Sequence, residues 1–159
     1  MARNVYIETT VVSYFTARPS RDLVVAARQE ATRELWPRLL AGFKTHISAL
    51  VYEEAGRGDP QEARKRLEAI GPFAMLDVDG EVQDLAERVI AGKGIPEAYP
   101  EDALHIAVAA ANGMELLVTW NFAHINNPFT RLVIRQILEN EGYRPPEICS
   151  PDELLGTDG

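Results

Sequence analysis

Short aliphatic and β-branched runs recur along this chain, each followed by a stretch with helical spacing, and that alternation constrains the fold most. NVYIET (Asn4 to Thr9), THISAL from Thr45, FAMLDV from Phe73, ELLVTW from Glu115 and EICS from Glu147 all read as strands. Between them, Ser20 to Ala41 has helical spacing with Ser20 as N-cap, and Pro37 is expected to break or kink it. VYEEAGRGD continues the second strand into a helix, and Pro60 opens QEARKRLEAI, which Gly71-Pro72 stops. EVQDLAERVIAG is amphipathic, DALHIAVAAANG is Ala-rich and ends at Gly113, and a polar-faced helix spans Thr130 to Glu141. Ser150-Pro151-Asp152-Glu153 is a capping box for a last turn. Strands alternating with helices predict an α/β fold, a three-layer α/β/α domain around a parallel sheet of about five strands. At 159 residues and 46% hydrophobic, one domain spanning 1–159 is expected, with chain enough for a sizeable core.

Composition narrows the function classes. No apolar run approaches the roughly 20 residues of a membrane span, and MARNVYIETT lacks the apolar core of a signal peptide. The lone Cys149 fits a reducing compartment, so a cytoplasmic location is the expectation. A net charge of −8 argues against a broadly basic nucleic-acid binder. It leaves room for a nuclease, because a carboxylate site that holds divalent cations is itself negative. Zinc-type Cys/His spacing, phosphate-binding glycine loops and the GxSxG elbow are all missing from the sequence.

In parallel sheets, sites form beyond the carboxyl ends of the strands. Glu8 ends the first strand, Glu53 and Glu54 follow the second, Glu101 and Asp102 open the Ala-rich helix, and Asn121 follows the fourth strand. Oxygen ligands without thiolates or paired histidines favour Mg2+ or Mn2+. Converging carboxylates would raise one another's pKa unless a cation neutralised them.

Taken in order, YIETTVVSYF, SALVYEEAGRGD, DALHIAVAAANG and LLVTWNF resemble the motifs of a PIN domain. That is the metal-dependent ribonuclease fold of VapC-type toxins in bacterial toxin–antitoxin pairs. By resemblance, Glu8-Thr9 stands for the first motif, Ser48 with Glu54 for the second, Asp102 for the third and Thr119-Trp120-Asn121 for the fourth. The resemblance implies Mg2+- or Mn2+-dependent hydrolysis of RNA phosphodiesters. Glu8 and Asp102 would bind metal, Glu54 would be a ligand or a base acting through water, and Asn121 would position water. It also implies a small antitoxin partner that covers the site, and a homodimer. Two positions depart from the family pattern: Glu8 is one methylene longer than the usual Asp, and Asn121 replaces an acid with a neutral amide.

The remaining side chains carry plainer expectations. Glu53 competes with Glu54, Glu101 points outward, and His105 is a buried, satisfied histidine. Thr9 and Thr119 are supporting hydroxyls for the acids. His124 is either a turn hydrogen-bonder or a substrate contact. Trp120 and Phe122 pack beneath the site, and Arg64-Lys65-Arg66 is a solvated face. Two competing functions remain: a catalytically weak PIN-like domain that binds RNA or protein, and a metal-dependent phosphoesterase on a small substrate.

Overall fold

The structure, a computed structural model, describes residues 2–157. Its centre is strand β1 (Asn4–Ile7), in which Val5, Tyr6 and Ile7 are fully buried. Strand β2 (Lys44–Ser48) lies against one edge of β1 and β4 (Leu116–Val118) against the other, both parallel. β3 (Ala74–Leu76) extends the sheet beyond β2, and β5 (Glu147–Cys149) beyond β4. The five strands run in the order β3-β2-β1-β4-β5, all parallel. The chain therefore steps outward from β1 in one direction and then returns to β1's other side. That reversal falls between β1 and β4, and crevices open at such a point beyond the strand carboxyl ends.

Among the described residues, eight helices cover the sheet: α1 (Thr9–Thr16), α2 (Leu23–Ala41), α3 (Ala49–Ala55), α4 (Pro60–Ile70), α5 (Gly80–Ala91), α6 (Pro100–Ala111), α7 (Pro128–Asn140) and α8 (Pro151–Leu155). α1 packs with α2 and α4, and α2 with α8, while α5 packs with α6 and α7, giving helical layers on the two faces. Alanine suits α6 to its place. Ala103, Ala107 and Ala109 are fully buried with Ile106 and Val108, so small side chains let the helix sit close to its neighbours. On the other face Phe15 stacks on Trp36 with centroids 3.8 Å apart. Among the described residues, no helix is long and apolar enough to cross a membrane.

Several sequence expectations need correcting here. The first strand ends at Ile7, and Thr9–Thr16 is a helix that the β-branched run TTVV concealed. Glu8 caps it by accepting from Thr10 N, and Val11 and Val12 bury its inner face, so burial overrides propensity. The N-cap of α2 is Asp22, whose Oδ1 accepts from Val25 N at 3.0 Å; Ser20 instead accepts from Asp22 N. α2 continues through Pro37 to Ala41, forgoing the hydrogen bond that the proline nitrogen cannot make. Asn127 caps α7, which therefore starts at Pro128 rather than Thr130. Arg66 is not a freely solvated cation. Its guanidinium ties α4 to the end of α3, donating to the carbonyls of Ala55 at 2.8 Å and Arg57 at 2.5 Å.

Cys149 lies buried on β5, and burial, followed by the charges of Glu153, Glu147 and Asp152, pushes its thiol up to about 12. A group whose folded pKa is raised contributes stability that is complete below its unfolded pKa and lost as pH rises toward the folded one. Loss should therefore run from about pH 9.0 upward to about 12. The native protein should resist iodoacetamide at pH 8 and label fully in denaturant. Fast native labelling would show instead that the β5 edge opens readily.

Candidate active site

The acids identified from sequence gather around the carboxyl ends of β1, β2 and β4. Glu8 follows β1 directly and is only 4% exposed. Its Oε1 accepts from Thr10 Oγ1 at 2.5 Å and Thr119 Oγ1 at 2.6 Å, and its Oε2 accepts from Thr10 N at 3.1 Å. Thr119 comes from the end of β4, so its hydroxyl joins the two strands that flank the reversal. The same hydroxyl accepts from Asn121 N at 2.9 Å, and Thr10 Oγ1 accepts from Trp120 N at 2.9 Å. Buried carboxylates need such donors, and here Thr10 in the first turn of α1 and Thr119 after β4 supply them.

Glu54 projects from α3 toward the same region. Its Oε1 accepts from Thr9 Oγ1 at 2.5 Å and from His105 Nε2 at 2.7 Å. Glu53, one residue earlier, faces out with its side chain 69% exposed and pairs with Arg57 at 3.1 Å. His105 is 1% exposed and both of its nitrogens are engaged, as expected for a satisfied core histidine. Behind it a chain runs inward: His105 Nδ1 to Tyr6 OH at 2.7 Å, and Tyr6 OH to Ser48 Oγ at 2.9 Å. Ser48 Oγ also accepts from Val51 N at 3.2 Å, capping α3.

The direction of this chain follows from donor counting. With His105 neutral and Nε2–H facing Glu54, Tyr6 donates to Nδ1 and Ser48 donates to Tyr6. With the imidazolium, Nδ1–H donates to Tyr6, and Tyr6 then donates to Ser48. Either state keeps the buried nitrogen and oxygen atoms bonded, so a proton change at His105 needs only two hydroxyls to rotate. Burial lowers the His105 pKa, but the bond to Glu54 and the charges of Glu8, Glu54 and Asp102 outweigh it and the net direction is up. Burial likewise works against Glu54 ionisation, yet the hydrogen bond and charge of His105 hold its carboxyl down at about 2. Glu101 is shifted up by its neighbour Glu54 and by burial, against the opposing Arg57 guanidinium 3.5 Å away. Glu101 itself faces outward as expected, its side chain 46% exposed beside Arg57.

Asp102 opens α6, and its Oδ2 is 2.9 Å from His124 Nδ1. The His124 ring lies against Tyr99, with centroids 3.9 Å apart. Asn121 Oδ1 accepts from His124 N at 3.0 Å, which fixes the turn. Bonds therefore link Glu8 to Thr119, Thr119 to Asn121, Asn121 to His124 and His124 to Asp102 in one continuous path. Trp120 packs inward as expected, with Nε1 donating to Thr32 Oγ1 at 2.8 Å. Phe122 does not; it is 38% exposed, with the Arg28 guanidinium 4.9 Å from its ring centre.

In donor type this set fits a hard divalent cation, being carboxylates and an amide oxygen without a thiolate. Among the described residues, His124 bonds Asp102 through Oδ2 and leaves Oδ1 without a protein hydrogen bond, and Thr9 and His105 both bond Glu54 through Oε1. In convergence the arrangement is looser. Among the described residues, no three His, Cys, Asp or Glu side chains stand close enough together to hold an ion as placed.

Sequence reasoning missed Thr10, Tyr6 and Tyr99 as neighbours of these acids, and it did not pair His105 with Glu54. The three-residue spacing from Asp102 to His105 was the available signal, since it sets both on one helical face.

The family model of the PIN domain matches residues 5–129, a stretch that contains every one of these acids. The chain belongs to the PIN domain family. Among solved structures, this PIN domain is similar to a chain in the crystal structure of VapBC2 from Rickettsia felis bound to a DNA fragment from their promoter. The TM-score is 0.55 at 15% identity, over 74% of this chain and 88% of that one, which establishes likeness of fold. No curated protein matches the PIN chain significantly in sequence.

Proposed function

We propose that this PIN domain is a divalent-metal-dependent ribonuclease, acting as the toxin of a toxin–antitoxin pair. The observation that carries the reading is the bonded path from Glu8 to Asp102, which brings acids from distant sequence positions to one end of the sheet. Mg2+ or Mn2+, when bound, would supply the charge that activates the attacking water and stabilises the leaving oxygen. Glu8 and Asp102 would hold it. Glu54, kept ionised by His105, would serve as a further ligand or as a base acting through water. Asn121 would orient water with whatever part of its amide the turn leaves free. The likeness to a VapBC2 chain supports a small antitoxin protein as partner, and a homodimer is the family expectation.

One observation favours a second reading, a PIN-like domain that binds RNA or a partner protein but cleaves weakly. Asn121 puts a neutral amide in the fourth motif position, and its oxygen is already engaged by His124 N. Titrating Mg2+ and Mn2+ against RNA cleavage separates the two. Cleavage that depends on metal, together with a melting temperature that rises with millimolar metal through mass action, supports the nuclease. RNA retained but uncut at every metal concentration supports the binding module. Cleavage of small phosphoesters but not RNA would point to neither.

A further inference from the structure

Beside the acidic centre lies an open cleft of about 780 Å3, between the end of α5 and the loop that follows β4. Lys93 is the only lysine or arginine in its lining, which also carries Glu87, Glu97, Thr130 and His124. Among the described residues Lys93 enters no ion pair. Its backbone is left-handed, with φ 64, the only non-glycine so placed among the described residues. Lys93 N donates to Ile90 O at 2.9 Å and Gly94 N to Val89 O at 2.8 Å, closing α5 at a position where glycine is the ordinary choice. The glycines stand to either side because packing demands them. A Cβ on Gly92 would come within 2.7 Å of Ile137, and one on Gly94 within 3.1 Å of Val89. The left-handed position itself carries a cationic residue, and Lys93 lines the cleft.

His124 forms another part of the wall. Asp102 holds its Nδ1, and one ring face lies on Tyr99, which is 46% exposed. Tyr99 makes no side-chain cap for α6, so its ring is not needed to start the helix.

Tyr99 lines the adjoining pocket with Glu101 and Asp102, and its contact with His124 joins that pocket to the cleft. We propose that the two together form a subsite for single-stranded RNA next to the reacting phosphodiester, with Lys93 on a backbone phosphate and one unpaired base stacked on the Tyr99–His124 pair. The inference rests on the ribonuclease reading. A chain of net charge −8 gains little from long-range attraction to a polyanion. Stacking is indifferent to that charge, and only an unpaired base offers a free face. Glu87 and Glu97 exclude a run of phosphates along the cleft, which leaves a single anionic contact, at Lys93.

The test is fluorescence anisotropy of a short labelled single-stranded RNA, with and without one abasic residue, titrated with the full chain. Lys93→Gly should melt higher than the wild type, because the strain is gone, yet bind RNA more weakly. Its slope of log affinity against log salt should fall by about 0.7, one phosphate contact on a single strand. Tyr99→Ala should weaken binding about tenfold with the salt slope unchanged. Tyr99→Phe should restore binding, and the abasic RNA should erase the difference between Tyr99→Ala and wild type. If both Lys93→Gly and Tyr99→Ala bind like a wild type that still cuts RNA, the subsite is overturned and the nuclease reading stands. A wild type that neither binds nor cuts RNA overturns both.

Discussion

Asp102→Asn should reduce metal-dependent RNA cleavage by about 100-fold or more while leaving the fold intact. Changing a group that merely orients a metal ligand already costs roughly 10–100-fold in affinity or activity, and Asp102 is proposed as a ligand itself. Stability should change little, because Asn keeps an oxygen that can accept from His124 Nδ1, now 2.9 Å from Asp102 Oδ2. The substitution also removes one negative charge from a neighbourhood that contains Glu8, Glu54 and Glu101. In metal-free buffer the melting temperature should hold or rise slightly, and the rise produced by Mg2+ or Mn2+ should shrink. Full cleavage by the variant, with the metal-induced shift unchanged, would remove Asp102 from the site.

The acids could be located from sequence because their positions follow from topology. A residue just past a buried run in a parallel sheet has few places to go, so Glu8 and Asn121 could be assigned to one end of the sheet before any contact was known, and Asp102 followed from its place in the first turn of the helix that runs back to β4. Choosing Glu54 over Glu53 needed the spacing from Ser48, and the structure turns Glu53 out toward Arg57 and Glu54 in toward His105. What escaped was whatever depends on three-dimensional neighbours. Nothing local says that TTVV should be helical; its inward face is settled by burial of Val11 and Val12. Nothing local joins Tyr99 to His124, or Arg66 to the carbonyls of Ala55 and Arg57, since each pair comes from separate elements. Phe122 was misplaced for the same reason. Its neighbour Trp120 takes the buried position and the hydrogen bond to Thr32, leaving Phe122 at the surface.

His105→Ala should be among the most destabilising single changes in the chain, by about 3–5 kcal/mol, the range for removing one partner of a buried pair. It strips Glu54 of its 2.7 Å partner and leaves Tyr6 OH, fully buried, with only Ser48. A cavity opens beside the alanines of α6 as well, and that part of the cost would follow from losing any side chain of this size. Two measurements separate the parts. In a Glu54→Gln background the cost of His105→Ala should shrink by roughly 0.5–3 kcal/mol, the usual range for residues in direct contact. The pH dependence supplies the second. Glu54 is held down at about 2 from an ordinary 4.5, so its contribution is present above 4.5 and lost as pH falls toward 2. His105 is raised above 6.5, so its contribution is complete below 6.5 and lost as pH rises through the folded value. The stability difference between wild type and His105→Ala should therefore peak between pH 4.5 and 6.5 and decline on either side. Urea unfolding across that range reads it directly. A difference that stays flat with pH and is unaffected by Glu54→Gln would mean that His105 only fills space, and that Glu54 is held by Thr9 alone.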